Sequence, residues 1–186
     1  MSLSRKPRPL AVVADRADRA DRVDPAPSLA EQALAYADEL YGLARHLCST
    51  TSDAEDIVQE TYARAIGGAA RLTPGSNLRA WLFRILRNGF IDLARRKKIV
   101  LEIPDDTLDT RPAETASLEQ LRYITASEVA RAIASLPVEY RLVVLLEVEG
   151  FSEAEIADIA HCAPGTVKSR LSRAKVKLRV ALQETR

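Results

Sequence analysis

The chain has 186 residues, room for one domain or two small ones. Its 47% hydrophobic content is ordinary for a globular protein, and 9 Pro and 7 Gly are few enough to favour helix. A formal net charge of +1 excludes a uniformly basic DNA-coating protein, and 2 cysteines exclude a disulfide framework.

Residues 1–27 carry the triplet run ADRADRADRVD, then Pro25 and Pro27. Alternating Asp and Arg with almost no large apolar side chain cannot bury a core, so a disordered tail is expected there. The start, MSLSRKPRPLAVV, is basic, but its apolar part is too short for a signal peptide. No apolar run approaches the ~18 residues of a membrane span. A reducing cytoplasm is the expected compartment.

Ser28 opens a helical region whose buried stripe is Leu29, Ala33, Tyr36, Leu40, Leu43 and Leu47. Ser52, with Glu55 three residues on, reads as the cap of the next helix, and Asp53, Glu55 and Asp56 suit its positive end. Ile57, Val58, Tyr62 and Ile66 supply its apolar side, and Gly67-Gly68 ends it. Arg71–Asn77 (RLTPGSN) is a loop by its Pro-Gly and Ser-Asn content. A long helix follows from Leu78 to about Lys98, with Leu78, Leu82, Ile85, Leu86 and Leu93 inward.

Residues 99–117 carry two prolines and many acids, the composition of a linker; a short IVLEI is the one ambiguous strand-like run. Helical pattern resumes near Leu118, breaks at Leu136-Pro137 and runs again over Val138–Glu149. The charge is unevenly spread. Arg84–Lys98 holds six basic residues against one acid, Ala163–Arg186 seven against one, and Leu101–Gln120 six acids against one Arg. Two basic patches on an acidic tether suggest two grips on one polyanion.

Gly150–Leu178, GFSEAEIADIAHCAPGTVKSRLSRAKVKL, reads as two helices across a short turn. Ser152 and Glu155 form a capping-box start, and Ile156, Ala157, Ile159 and Ala160 give the first helix its apolar face. Pro164 stands where the second helix begins and needs no donor. Val167, Leu171, Ala174 and Leu178 point inward, leaving Thr166, Ser169, Arg170 and Arg173 outward, flanked by Lys168, Lys175 and Lys177. This is the layout of a helix-turn-helix whose second helix enters the DNA major groove.

Taken in order, DAEDIVQETYARAI (53–66), NLRAWLFRILRNGFIDLARRKK (77–98) and SLPVEYRLVVLLEVEGFSEAEIADIA with GTVKSRLSRAKVKLR (135–179) resemble a group IV sigma factor. These extracytoplasmic-function proteins are the minimal members of the bacterial sigma-70 family. The resemblance spans about residues 29–183. It implies an all-α fold: two small helical domains joined by an acidic flexible linker, the C-terminal one a helix-turn-helix. The implied boundaries are a tail over 1–27, region 2 over 28–98, a linker over 99–124 and region 4 over 125–186.

The resemblance also implies roles. Asp53, Asp56, Gln59 and Glu60 would meet the clamp helices of the largest subunit of core RNA polymerase, whose second subunit would offer its flap to the chain. Ser76 and Asn77 would form a pocket for a melted base of the promoter −10 element. Arg84, Arg87, Asn88, Arg95, Arg96 and Lys97 would hold the phosphates or upstream duplex there. Thr166, Lys168, Ser169, Arg170, Arg173 and Lys175 would contact the −35 element, the arginines by forked bonds. The Glu102–Asp106 run would thread the polymerase cleft, although a plain flexible linker fits its composition equally. An anti-sigma factor is the expected regulator.

Trp81 reads as a core residue beside Ile85, with stacking on a base as the alternative. His161 replaces the glycine common in the family's turn, so a left-handed residue with local strain is expected there. Cys162 reads as a buried thiol. His46-Leu47-Cys48 and His161-Cys162 offer two ligands each at spacings that match no finger or ribbon, so no metal is expected. No cofactor and no enzymatic signature are expected either. The rival readings are a free-standing helix-turn-helix regulator and a thiol or metal sensor using Cys48 and Cys162.

Overall fold

A computed structural model describes residues 27–73, 75–97 and 125–184. Among these residues all regular structure is helical: α1 (Leu29–Leu34), α2 (Ala37–Leu47), α3 (Thr51–Gly67), a 3-10 turn (Ala69–Arg71), α4 (Leu78–Arg96), α5 (Ala126–Ser135), α6 (Val138–Val148), α7 (Glu153–Ala160) and α8 (Pro164–Glu184). The expected tail, the linker with its IVLEI and Glu102–Asp106 runs, the helix start near Leu118 and Lys98 lie outside the described residues.

Three helices begin with reciprocal capping boxes: Ser28 with Glu31, Thr125 with Glu128, and Ser152 with Glu155. The start of α3 differs from the expected one. Thr50, not Ser52, is the cap: its hydroxyl accepts from the Asp53 N–H at 3.1 Å, and its carbonyl accepts from the Ala54 N–H at 3.3 Å. Thr50-x-x-Asp and Ser52-x-x-Glu are overlapping start signals, and the earlier one wins because it carries Ala54 into the core. The buried stripe of α3 is correspondingly Ala54, Ile57, Thr61 and Ala65, while Ile66 is 56% exposed, against expectation. The small residues let α3 lie close to α4, where a Cβ on Gly89 would stand 3.8 Å from Ile57 Cγ2.

The first helical region also breaks, at Ala35-Tyr36, into α1 and α2. The Tyr62 hydroxyl from α3 donates to the Ala33 carbonyl at 3.3 Å, satisfying the backbone at the break. Leu40, Leu43, Leu82, Phe83 and Leu86 are sealed from solvent in the N-terminal half, and Val143, Leu146, Ile156, Ile159 and Val167 in the C-terminal half. The two sets are not separate cores. They join in one continuous cluster, bridged where Phe83 of α4 meets Phe151, just ahead of α7, edge to face at 4.8 Å between centroids. A bundle of some 70 residues is a marginal unit, and here each half covers the other's open side.

His161 has φ 51° and ψ 50°, the only positive φ outside glycine among the described residues. It closes α7 in a Schellman arrangement: the His161 N–H donates to the Asp158 carbonyl at 3.4 Å and the Cys162 N–H to the Ala157 carbonyl at 3.1 Å.

Two substitutions check these assignments by urea unfolding. Thr50→Ala should destabilise the chain by about 1 kcal/mol, whereas Ser52→Ala should change it by less than about 0.5 kcal/mol. His161→Gly should stabilise it by up to ~1 kcal/mol, because glycine adopts the left-handed region without a Cβ clash.

Candidate nucleic-acid interface

The loop before α4 is shaped by Gly75, whose φ is 85°, and by the Ser76 N–H donating to the Thr73 carbonyl at 3.0 Å. It delivers Asn77 to the start of α4, where its Oδ1 accepts from the Ala80 N–H at 3.0 Å. The side chain that opens the helix is thereby fixed at the mouth of a cleft of about 480 Å³. Ser76, Asn77 and Arg84 come together around this cleft, with Arg71, Leu72, Thr73, Ala80 and Trp81. Ala154, Glu155 and Asp158 of α7 close its other side.

Trp81 is half-buried against the core and forms the wall between this cleft and a second one of about 410 Å³. Asn88 lines the second cleft, with Arg64, Arg71, Gly67, Gly68 and Ile85. A Cβ on Gly68 would clash with the Arg64 carbonyl at 2.9 Å, so the end of α3 requires glycine there, while the indole at 3.6 Å would be in ordinary contact with it. Its body packs inward, as expected of a core residue, and its edge walls two polar clefts.

The other expected −10 residues lie elsewhere. Arg87 turns toward the second half, half-buried near Glu139, Cys162 and Arg170; burial holds its guanidinium below the usual arginine range. Arg95, Arg96 and Lys97 are exposed at the far end of α4. The Lys97 ammonium donates to both carboxylate oxygens of Asp53, at 2.6 and 2.7 Å. That bond, joined by the Thr50 hydroxyl, holds the Asp53 carboxyl below the ordinary aspartate range. Asp53 thus ties the start of α3 to the end of α4. Along the rest of the acidic face, Asp56 and Gln59 are exposed and Glu60 pairs with Arg64 at 2.7 Å.

In the helix-turn-helix, Val167, Leu171 and Ala174 are buried as expected. Arg170 is not outward. Its side chain is 13% exposed and its Nη1 donates to Glu139 of α6 at 2.9 Å. Position 170 is three residues past Val167 and four before Ala174, so it flanks the buried stripe and its stem runs over α6. Thr166 and Ser169 are half-buried, the Ser169 hydroxyl donating to the Thr166 carbonyl at 3.0 Å, and Arg173 is half-buried too. The open face of α8 is Lys168, Ser172 and Lys175, with the two lysines 67% and 58% exposed. Sequence reasoning passed over Ser172, although its i+4 spacing from Lys168 placed it there.

Two further residues were missed. Arg71 sits inside the loop that was singled out. Arg79, half-buried, donates to Glu39 at 2.6 Å and to the Glu149 carbonyl at 2.8 Å, beneath which its guanidinium stacks 4.2 Å from the Phe151 centroid. Cys48 and Cys162 are both half-buried and neither is in a disulfide. Burial, reinforced by Asp53, pushes the Cys48 thiol up to about 11, so it stays protonated and a poor nucleophile at neutral pH. Among the described residues no three His, Cys, Asp or Glu side chains are grouped to hold a metal ion.

Comparison with known proteins matches residues 33–99 to Sigma-70 region 2 and residues 126–178 to Sigma-70, region 4. The chain is 39% identical over 160 residues to the ECF RNA polymerase sigma factor EcfG of Rhodopseudomonas palustris, covering 83% of this chain and 85% of that one. It is 31% identical over 165 residues to the ECF RNA polymerase sigma factor SigW of Bacillus subtilis, covering 80% and 86%. Among solved structures it resembles the sigma factor RpoE bound to the anti-sigma factor NepR from Bartonella quintana, with TM-score 0.64 and 32% identity over 83% of this chain and 96% of that one. It also resembles CnrH bound to the cytosolic domain of CnrY, with TM-score 0.60 and 25% identity over 84% and 96%.

The Asp53–Lys97 tie gives a titration test. The folded carboxyl lies below its unfolded value, so the stabilisation it brings is present above about pH 4 and is lost as pH falls through the depressed folded pKa. Lys97→Ala should raise the Asp53 pKa toward the ordinary aspartate value in a carboxyl NMR titration; an unmoved Asp53 would show that Lys97 is not the cause.

Proposed function

The chain belongs to the extracytoplasmic-function branch of the sigma-70 family, and we propose that it works as a promoter-specificity subunit of RNA polymerase through the surfaces described above. Its N-terminal half, residues 28–98, would bind core polymerase through the exposed Asp56 and Gln59 of α3, with Asp53 and Glu60 beside them. The clamp helices of the largest subunit would receive this face, and the flap of the second subunit would receive the C-terminal half, residues 125–186. The compartment is that of the polymerase, the cytoplasm.

The cleft of Ser76, Asn77, Arg84 and Arg71 against Trp81 would hold unstacked −10 DNA. An amide, a hydroxyl and two guanidiniums can bind base edges and phosphates, and an aromatic wall favours an unstacked base. Arg95, Arg96 and Lys97, at the end of the same helix, would hold upstream phosphates. The observation that carries this reading is the chain order: Ser76, Asn77, Trp81 and Arg84 on one wall of a polar cleft, within the region 2 match, then a helix-turn-helix with a basic outer face, within the region 4 match. Sigma factors are not enzymes. Binding energy alone would open and position DNA, and the linker over 99–124 would span the two grips.

Lys168, Ser172 and Lys175 would meet −35 DNA most directly, with Thr166, Ser169 and Arg173 at the margins of the same face. Arg170 would act through Glu139, holding α8 on α6. The Bartonella quintana RpoE structure is bound to the anti-sigma factor NepR, and a protein of that kind is the regulator we assign to this chain.

Run-off transcription with purified core polymerase on a promoter library tests the whole reading. Promoter-dependent transcripts are expected; a chain that binds core yet yields none overturns the assignment of the DNA-reading surfaces. Within the −35 face, Arg173→Ala should cost roughly 1–3 kcal/mol on the selected promoter if its contact is to a base, whereas Lys168→Ala should weaken all sequences alike and flatten the salt dependence. Arg170→Ala should instead lower folding stability by about 1–3 kcal/mol, read by urea unfolding, because it strands Glu139.

A further inference from the structure

The basic outer face of α8 does not stand bare. Lys168 and Lys175 lie seven residues apart, about two turns along one side of the helix, and each meets a carboxylate from a different element. The Lys168 ammonium lies 3.4 Å from Glu153 Oε2, at the first residue of α7. The Lys175 ammonium donates to Glu147 Oε1 at 3.0 Å, near the end of α6. The acids are 50% and 40% exposed, so both pairs stand in water. Two cations against two anions leave these pairs with no net charge. Exposed pairs of this kind contribute little to folding. Their consequence falls on whatever the lysines have to grip.

We infer that Glu153 and Glu147 govern how strongly α8 holds DNA, by keeping its two DNA-facing lysines occupied until a phosphate takes the place of each carboxylate. The inference rests on the −35 assignment above and adds two residues that set its strength. A lysine standing alone brings one cation to the duplex and releases about 0.9 of a counterion for the phosphate it neutralises. A lysine drawn away from a carboxylate releases the same counterion but leaves a bare anion beside the duplex. The pair as a unit therefore brings no charge, and the counterion release that drives non-specific attachment is largely cancelled at these two positions. Phosphate contacts carry no sequence information. What the two acids hold down is the attraction of α8 for any duplex, most of all at low salt.

Salt titrations of the full-length chain on a duplex of scrambled sequence, followed by fluorescence anisotropy, read this directly. With Glu147→Gln and Glu153→Gln combined, the slope of log affinity against log salt should steepen by about 1 to 2, or about 0.9 for each lysine set free. At low salt the affinity should rise about threefold to tenfold, while the urea midpoint stays where it is because both acids are exposed. Glu153 acts through Lys168, so Glu153→Gln in a Lys168→Ala chain should gain less than about half of what it gains alone. An unsteepened slope in the combined variant overturns the inference. So does a Glu153→Gln gain that persists in full without Lys168, which would make the effect one of net charge alone. If instead Lys168→Ala and Lys175→Ala leave holoenzyme binding to the promoter found by run-off transcription unchanged, the −35 assignment fails first and carries the inference with it.

Discussion

The architecture hangs on how Phe83 is buried. A half of four short helices leaves one side of its core open, and the N-terminal half leaves Phe83 there. Phe151 of the other half covers it edge to face, and Arg79 lies over both rings, 5.4 and 4.2 Å from their centroids. One guanidinium then gathers an acid from each half, Glu39 at 2.6 Å and Glu149 at 3.3 Å, plus a helix-end carbonyl. A half-buried cation is costly unless its donors are used, and here most of the fork is. The stacking contributes about 0.5–2 kcal/mol and the aromatic pair about 0.5–1.5 kcal/mol. Those are small terms. They add to the burial of the continuous apolar cluster that joins the two halves.

The same restraint runs through the charges. A net charge of +1 would be odd for a protein with two DNA grips if the cations stood alone. They do not. Arg84 faces Asp158, Lys97 faces Asp53, Lys168 faces Glu153, Arg170 faces Glu139 and Lys175 faces Glu147. At the exposed pairs a polyanion has to displace a carboxylate instead of small counterions. Non-specific affinity is thereby held down, because each phosphate gained is an acid lost. A binding site that fits several displaced pairs at once gains more than one that fits a single pair. Internal acids therefore sharpen selectivity while weakening raw attraction.

Local signals in the sequence were read correctly where the structure is decided locally. The helix start at Ser28, the capping box at Ser152, the Pro164 start and the left-handed His161 all follow from backbone hydrogen bonds within one turn. Misreadings arose where a choice among local options was made by packing. Thr50 and Ser52 are equally good caps until Ala54 is buried; Ile66 looks apolar until Ala65 and Thr61 take the inward positions. Arg170 looks like a reader on a helical wheel, because a wheel does not contain Glu139. The cleft was legible only in part: Ser76, Asn77 and Arg84 come from one stretch of chain. Its other wall, α7, is some 70 residues away, and no spacing rule joins Asn77 to Glu155.

That α7 is the wall has a consequence for the helix-turn-helix itself. Its first helix does two jobs on opposite faces: Ile156, Ala157, Ile159 and Ala160 hold α8 in place, while Glu155 and Asp158 face the other half. The faces are independent because the period of a helix keeps them apart, and because the Schellman closure at His161 fixes the angle to α8 without using either. A residue facing the cleft can therefore change without disturbing the recognition helix. A branched residue at 161 would do the reverse, disturbing α8 while leaving the cleft contacts in place. Strain is thus concentrated at the turn and paired charge at the rim, while the apolar cluster that runs through both halves holds the recognition module against its neighbour.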